Sequence, residues 1–184
     1  MIQTLKRLNP NLLLGLTGLT FCFSRLSTTV AVVGTAAVMT GTDYVSILIA
    51  VLLLMVFLSA LIAKLLVSLS FRIVGGIFTR RSGMLYPFPV RYGEFASTVL
   101  VFSCICFFLC GLVSLPLLFL PTLTNVLGAV RKLVIWAFLF LGARHFVTYY
   151  SHDYDKKALA VALSVIPFVL VGLTLAFGIW EVAA

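Results

Sequence analysis

The sequence predicts an all-α integral membrane protein, a polytopic bundle of about five transmembrane helices that form a single domain over residues 1–184. Of the 184 residues, 62% are hydrophobic and only 10% are charged, whereas soluble domains are roughly half apolar and a quarter charged. A soluble domain of this size leaves much of its surface in water and could not hide so many apolar side chains. Most of the chain is therefore expected to lie in a lipid bilayer.

The predicted spans are apolar runs of about 20 residues or more, the length that crosses the hydrocarbon core as a helix. The second, third and fifth runs are almost free of charge. The first contains Arg25, and the fourth carries Arg144 and His145 near its end, where a long arginine side chain can reach the interface. In chain order, the expected spans are residues 12–42, 44–71, 95–120, 133–150 and 158–180.

The charges between the spans predict the orientation, because Lys and Arg collect on the cytoplasmic side of a membrane protein. A cytoplasmic N-terminus places Lys6 and Arg7 inside, together with the basic connection at residues 72–91. Arg131 and Lys132 are the exception, since they would lie at the outer end of the fourth span. Either the third connection is longer than it looks, or this pair binds something.

The basic connection is the strongest candidate for recognition, because its arginines are accompanied by no acidic residue. Guanidinium groups suit phosphate and carboxylate through paired hydrogen bonds. Gly75-Gly76 is expected to end the second helix before this connection. The alternative is that the arginines only determine topology. The candidate lipid- or partner-binding residues are Arg72, Arg80, Arg81 and Arg91.

Arg25 is a candidate intramembrane charge within the first span. A cation inside a span is usually paired and functional. The competing interpretation is that Arg25 marks the cytoplasmic end of a shorter span that starts at Leu26, and the sequence leaves both open. Because Arg25 interrupts the apolar run and no small-residue cleavage site follows it, we expect the N-terminal segment to be retained rather than removed as a signal peptide.

No catalytic motif is present: the sequence contains no Walker loop, nucleophile elbow or histidine–glutamate zinc motif. A polar cluster near the fourth span could in principle hold a transition metal or haem, but it also fits an interfacial aromatic belt. The cysteines fit small apolar packing residues better than soft-metal ligands. We therefore predict no catalytic residues, no metal and no cofactor. The residues weighed are His145, His152, Asp153, Asp155, Cys104, Cys106 and Cys110.

The layout resembles the Yip-domain family of five-span membrane proteins, in particular its small bacterial members. The resemblance covers residues 10–180. It consists of Asn9-Pro10 after a short basic N-terminus, a basic Gly-bearing connection after the second span, Pro116 late in the third span, and a compact last pair of spans with Pro167 in the second. Membership would imply five helices and no enzymatic activity.

The functional expectation is a non-enzymatic scaffold or accessory subunit that organises membrane proteins or lipids in a bacterial inner membrane. Its partners would be membrane lipids and other membrane proteins, or further copies of itself. Nucleic acid is not expected, because the cations lie in short segments between apolar runs. Two alternatives stay open. One is a small transporter or solute-binding subunit with a polar cavity lined by Arg25 and by Ser and Thr residues, and the other is an enzyme of lipid metabolism that uses the His/Asp cluster.

Overall fold

The computed structural model describes residues 9–41, 43–81 and 91–150, and within these ranges the chain is almost entirely helical, with no β-strand. Two short 3-10 turns, Leu115–Leu118 and Pro121–Leu123, join the last two helices. The all-helical prediction is confirmed for this part of the chain. The helices are α1 (Pro10–Ser24), α2 (Leu26–Thr40), α3 (Tyr44–Arg81), α4 (Tyr92–Ser114) and α5 (Thr124–Tyr150).

Local signals determine where several helices begin and end. The side chain of Asn9 accepts a hydrogen bond from the Asn11 N–H at 3.0 Å, and proline follows it at the first helical position of α1. Gly41 ends α2 with φ 64°, a left-handed conformation that glycine adopts without strain. The Asp43 carboxylate then accepts bonds from the Ser46 hydroxyl (2.7 Å) and N–H (3.1 Å). These bonds cap α3 and lower the pKa of Asp43 below its ordinary value.

The helices alternate in direction, and α1 runs parallel to α4. The Thr17 hydroxyl lies 3.1 Å from the Cys104 thiol. Further along both helices, the Phe21 ring packs edge-on against Phe107 at 5.3 Å between centroids. Because later residues of α1 contact later residues of α4, the two helices run in the same direction and start at the same end of the bundle.

Helices α3 and α5 run in the opposite direction. Gly18 of α1 lies against Val56 of α3, and the thiol of Cys22, one turn later in α1, reaches back to the carbonyl of Leu52 at 3.6 Å. On the other side of α4, the ring of Phe102 faces His145 near the end of α5, at 5.6 Å between centroids. The described helices therefore form an up-down-up-down bundle, with α1 and α2 together making the first leg.

The buried core lies at one end of this bundle. It joins the start of α1, the last third of α3 and the first half of α4. The Phe95 ring is fully buried and packs against Phe71 at 5.4 Å between centroids. Since the candidate arginines flank the same segments, the best-packed end of the molecule is also its basic end. The core residues are Leu13, Val67, Val74, Phe78, Phe95, Ala96, Leu100 and Val101.

Three of the described helices are long and apolar enough to cross a membrane, and a fourth span results if the bent pair α1 and α2 counts as one. That pair is bent by 65°. Apolar side chains on the outer faces of α3 and α5 are exposed, among them Leu53 (67%) and Phe140 (70%). Lipid is the solvent in which such faces are stable. The expected fifth span at residues 158–180 lies outside the described residues.

The expected break at Gly75-Gly76 is wrong, because α3 continues without interruption to Arg81. Glycine disfavours a helix by only about 1 kcal/mol per residue. Here the flanking Val74 and Phe78 are buried in the core, and the Thr79 hydroxyl bonds back to the Gly75 carbonyl at 2.8 Å. Packing therefore outweighs the local propensity.

Two other element boundaries differ from the expected ones. Helix α5 begins at Thr124 rather than near residue 133. The first span is two helices that meet at Arg25 rather than one. Both differences concern segments of mixed hydropathy, where an apolar window does not locate a helix end.

Candidate functional site

The site is built around the break between α1 and α2. The Ser24 hydroxyl donates a hydrogen bond of 2.6 Å to the Phe21 carbonyl. In an unbroken helix that carbonyl would accept from the N–H of Arg25, but this N–H bonds to Cys22 at 3.1 Å instead. Arg25 then adopts φ −110° and ψ 4°. Serine back-bonding of this kind bends helices, and the sequence here contains neither proline nor glycine.

Arg25 itself lies where three legs of the bundle converge. Its side chain is partly buried, and its guanidinium carbon lies 6.0 Å from the centroid of the Phe21 ring. Arg131 of α5 is close enough for the two positive charges to repel each other. Arg131, 106 positions later in the sequence, thus contributes to the electrostatic surroundings of Arg25.

A groove of about 580 Å³ runs between α2, α3 and α4, and Arg25 forms part of its wall. Val32 and Ala36 of α2 face Val51 and Met55 of α3 across it. Its volume falls in the usual range for sites that hold small molecules. This groove, with Arg25 in its wall, forms the candidate site.

The groove presents a mainly apolar surface to a ligand, although several hydroxyl groups line it. Thr17 donates to the Leu13 carbonyl at 2.7 Å, Ser59 to Val56 at 3.1 Å, and Ser103 to Val99 at 2.9 Å. Each of these three hydroxyl groups donates to a backbone carbonyl of its own helix. The sequence-based alternative of a polar cavity lined by Ser and Thr is therefore weakened for this groove.

The four candidate arginines of the basic connection lie at the other end of the molecule. Arg72 and Arg80 are exposed on the last turns of α3, and Arg91 is exposed immediately before α4. Arg81 is the final residue of α3. The structure brings the backbone positions of these four arginines to one end of the bundle. Residues 82–90, between Arg81 and Arg91, lie outside the described part of the chain.

The cysteines act as packing residues. All four are free thiols, and Cys22, Cys106 and Cys110 are buried. Cys104 also approaches the Leu13 carbonyl at 3.8 Å, so it joins α4 to α1 rather than facing a ligand.

The weighed metal cluster is described only in part. His145, on α5, lies against Phe102 of α4. His152, Asp153 and Asp155 lie outside the described residues. Among the residues that are described, no group of three or more His, Cys, Asp or Glu side chains is placed to hold a metal ion.

Sequence reasoning identifies Arg25 as an intramembrane charge. It singles out Arg131 and Lys132 as an exception to the charge alternation, explained either by a longer third connection or by a bound group, but it does not place Arg131 near Arg25. Comparison with known proteins adds no further residue, since no protein-family model, curated protein or solved structure matches the chain.

Proposed function

We propose that this chain is a non-enzymatic scaffold or accessory subunit of a bacterial inner membrane, which binds another membrane component through its basic end. The supporting observation is the length of α3. Its 38 residues correspond to about 57 Å of helix, whereas the hydrocarbon core is only about 30 Å thick. The turns that carry Arg72 and Arg80 therefore extend beyond the hydrocarbon.

These turns are held firmly rather than loosely. Val74 and Phe78 are buried against the start of α4, with Phe95 among their neighbours in the core. A binding group on a fixed backbone loses less conformational freedom when it meets its partner. Arginine on such a platform suits phosphate or carboxylate groups, because its planar fork forms two parallel hydrogen bonds. The partner therefore presents anionic groups at the membrane surface.

The proposal includes the Yip-type arrangement with five spans and a cytoplasmic N-terminus. The alternating helix directions support it, since the start of α1, the end of α3 and the start of α4 share one end. The Lys and Arg residues of that end satisfy the positive-inside rule when it faces the cytoplasm. A span over residues 158–180 would then return the chain to the opposite side.

Charge reversal at the basic end tests this function. The double variant Arg72→Glu and Arg80→Glu should lose the proteins or anionic lipids that purify with the wild-type protein in mild detergent, as measured by mass spectrometry. Lys132→Glu is the matched control, because this exposed lysine lies at the other end of the bundle, and it should retain them. Since charge reversal can also invert topology, orientation is checked in each variant. A correctly oriented double variant that keeps every component refutes the proposal.

A transporter subunit is the second candidate, and the break at Arg25 favours it. Interrupted helices beside a groove are typical of secondary transporters, whose substrates bind at the broken ends. A cysteine at Thr28, which lines the groove, discriminates the two functions. A water-filled pathway predicts rapid labelling by a charged, membrane-impermeant thiol reagent. The scaffold proposal predicts labelling no faster than that of a cysteine at the lipid-facing Leu53.

A further inference from the structure

We propose that Lys64 and Arg72, on the exposed surface of α3, bind the headgroup of one anionic phospholipid. This inference rests on the function proposed above, because Arg72 belongs to the basic end, and it names the membrane component that binds there. The observation that carries it is Lys64, an exposed cation inside an apolar segment.

Lys64 is the only charged residue of the apolar run 44–71, and its side chain is exposed on the surface of the bundle. Its neighbours one turn before it and directly after it, Leu61 and Leu65, are exposed to 45% and 62%. A cation at this depth of a membrane is costly, and such residues are almost always paired with an opposite charge. Lys64 therefore requires a counter-charge at or near its own level.

The acidic side chains that the structure describes are not at that level. Asp43 precedes α3 and lies about 31 Å from Lys64 along the helix axis. Glu94 lies in the first turn of α4, which packs beside Phe71, since the rings of Phe71 and Tyr92 are 5.3 Å apart between centroids. Phe71 is about 10 Å further along α3 than Lys64. A lipid phosphate is not fixed to a helix, and it can move inward while the bilayer thins locally.

The helical repeat places Arg72 beside Lys64. The two residues are separated by about 12 Å along the axis and about 80° around it, and Ser68 lies midway, one turn from each. Side chains on a helix lean toward its N-terminus, which directs Arg72 toward Ser68, whereas a lysine can extend the other way toward the interface. Each cation then has to cover only about 6 Å, half of the axial separation, to meet at one phosphate group.

The apolar side chains below Arg72 define the rest of the ligand. Phe57, Leu61 and Leu65 are exposed to 67%, 45% and 62%, and all lie within about 60° of Arg72 around the helix. They follow Arg72 toward the hydrocarbon at about 10–23 Å along the axis, and one leaflet contributes about half of the roughly 30 Å hydrocarbon thickness. An acyl chain that descends from a phosphate beside Arg72 therefore runs along these side chains toward the centre of the bilayer.

The charges of this surface define the class of lipid. No acidic residue is present in residues 44–93, and Arg80 continues the exposed basic surface two turns beyond Arg72. Gly76 lies between these arginines with open space beside it, so a headgroup can approach the helix backbone there. A zwitterionic headgroup would bring a further cation to this surface, whereas phosphatidylglycerol brings net negative charge. A soluble acidic protein does not reach Lys64 within the apolar segment, but a phospholipid is already there.

Selective lipid binding by single variants tests the two cations. The purified protein is exchanged into detergent doped with phosphatidylglycerol or with phosphatidylcholine of the same acyl chains, and bound lipid is measured by native mass spectrometry. Lys64→Gln and Arg72→Gln should each weaken phosphatidylglycerol binding about tenfold, the effect of losing a charge-assisted hydrogen bond, and change phosphatidylcholine binding much less. Lys64→Arg keeps the charge and should retain most of the binding. Lys132→Gln removes an exposed lysine at the other end of the bundle and, as the matched control, should change neither lipid.

Photocrosslinking in vesicles tests the path of the acyl chain. A benzophenone amino acid at Leu61 should react with phosphatidylglycerol in preference to phosphatidylcholine when the vesicles contain equal amounts of both. Adding Lys64→Gln should abolish this preference. Leu141 of α5 is the matched position, because it is exposed to 46% against 45% for Leu61, and a probe there should show no preference.

Three results would overturn this inference and leave the function proposed above intact. The first is unchanged phosphatidylglycerol binding in Lys64→Gln, which would show that another group, such as Glu94, neutralises the lysine. The second is an equal loss of both lipids in Lys64→Gln and Arg72→Gln, which would show that the surface does not select an anion. The third is crosslinking of the Leu61 probe to a membrane protein instead of a lipid. The proposed function fails separately, when the double variant Arg72→Glu and Arg80→Glu retains every bound component.

Discussion

At the residue scale, two glycines allow the helices to approach closely. A Cβ atom at Gly18 of α1 would lie 2.7 Å from the Val56 carbonyl oxygen and 3.3 Å from the Ser59 hydroxyl. A Cβ atom at Gly111 of α4 would overlap the Phe23 ring of α1. Small residues have this use in membrane proteins, where close backbone packing replaces the hydrophobic driving force of water. Both contacts involve α1, so the position of this helix depends on them.

Gly18→Ala should therefore destabilise the protein. The obstacle is a backbone carbonyl, which cannot rotate away, and overpacking of this kind costs about 1–3 kcal/mol. Gly15→Ala, one turn earlier on the same helix, is the control because nothing lies within 4 Å of its added methyl group. It should be neutral or stabilising by up to about 1 kcal/mol. Unfolding in detergent by titration with dodecyl sulfate measures both, and equal stabilities would contradict the close approach.

At the element scale, the bend between α1 and α2 follows from a competition for one carbonyl. The hydroxyl of Ser24 takes the Phe21 carbonyl, and the N–H of Arg25 turns to Cys22. Further back-bonding by Thr29 to the Arg25 carbonyl, at 3.0 Å, stabilises the start of α2. The element that reads as one apolar run is thus divided at the position where a side-chain hydrogen bond replaces a backbone one.

Ser24→Ala should reduce the bend, because it frees the Phe21 carbonyl for the N–H of Arg25. Spin labels at the exposed positions Leu12 and Val38 report the change as a distance. An unbroken helix would separate these Cα atoms by about 39 Å, and the 65° bend brings them to about 33 Å. The variant distance distribution should shift toward the longer value. Ser59→Ala is the control, since its hydroxyl also donates to the carbonyl three residues earlier, that of Val56 at 3.1 Å, within unbroken α3. An identical shift in this variant would refute the explanation.

The sequence identifies helices better than it identifies where they end and which helices they contact. Runs that are almost free of charge, such as residues 44–71, predict helices reliably, because only lipid can solvate so many apolar side chains in one segment. The continuation of α3 through Gly75-Gly76 was not predictable, since it depends on Phe78 meeting Phe95 from another helix. For the same reason, half of the candidate site was predictable. Arg25 is conspicuous within its own run, whereas the groove that it lines depends on how α2, α3 and α4 pack.

At the scale of the whole molecule, the main buried core lies at the basic end of the bundle, and the groove extends from the far end toward this core. The core residues cluster near the starts of α1 and α4. At the far end, α3 exposes Val45 and Ile49 to 57% and 54%.

The alternating directions of the helices predict the labelling pattern of a membrane topology experiment. Cysteines introduced at Arg80 and at Thr122, both exposed positions, should react with an impermeant thiol reagent from opposite sides of the membrane. The reason is that α4 crosses the bilayer between them. Reaction from the cytoplasmic side is expected at position 80, in line with the positive-inside rule. Labelling of both positions from one side would contradict the up-down-up-down arrangement.

The pairing of α1 with α4 also has a consequence for biosynthesis. The two helices contact each other along their length, yet about 90 residues separate their ends. At about 5–20 residues per second, the ribosome needs roughly 5–20 seconds to deliver α4 after α1 has emerged. During that interval α1 and α2 have only α3 beside them, and Arg25 still lacks its final surroundings. A partner protein that covers α1 and α2 during this interval would be required only until α4 is inserted.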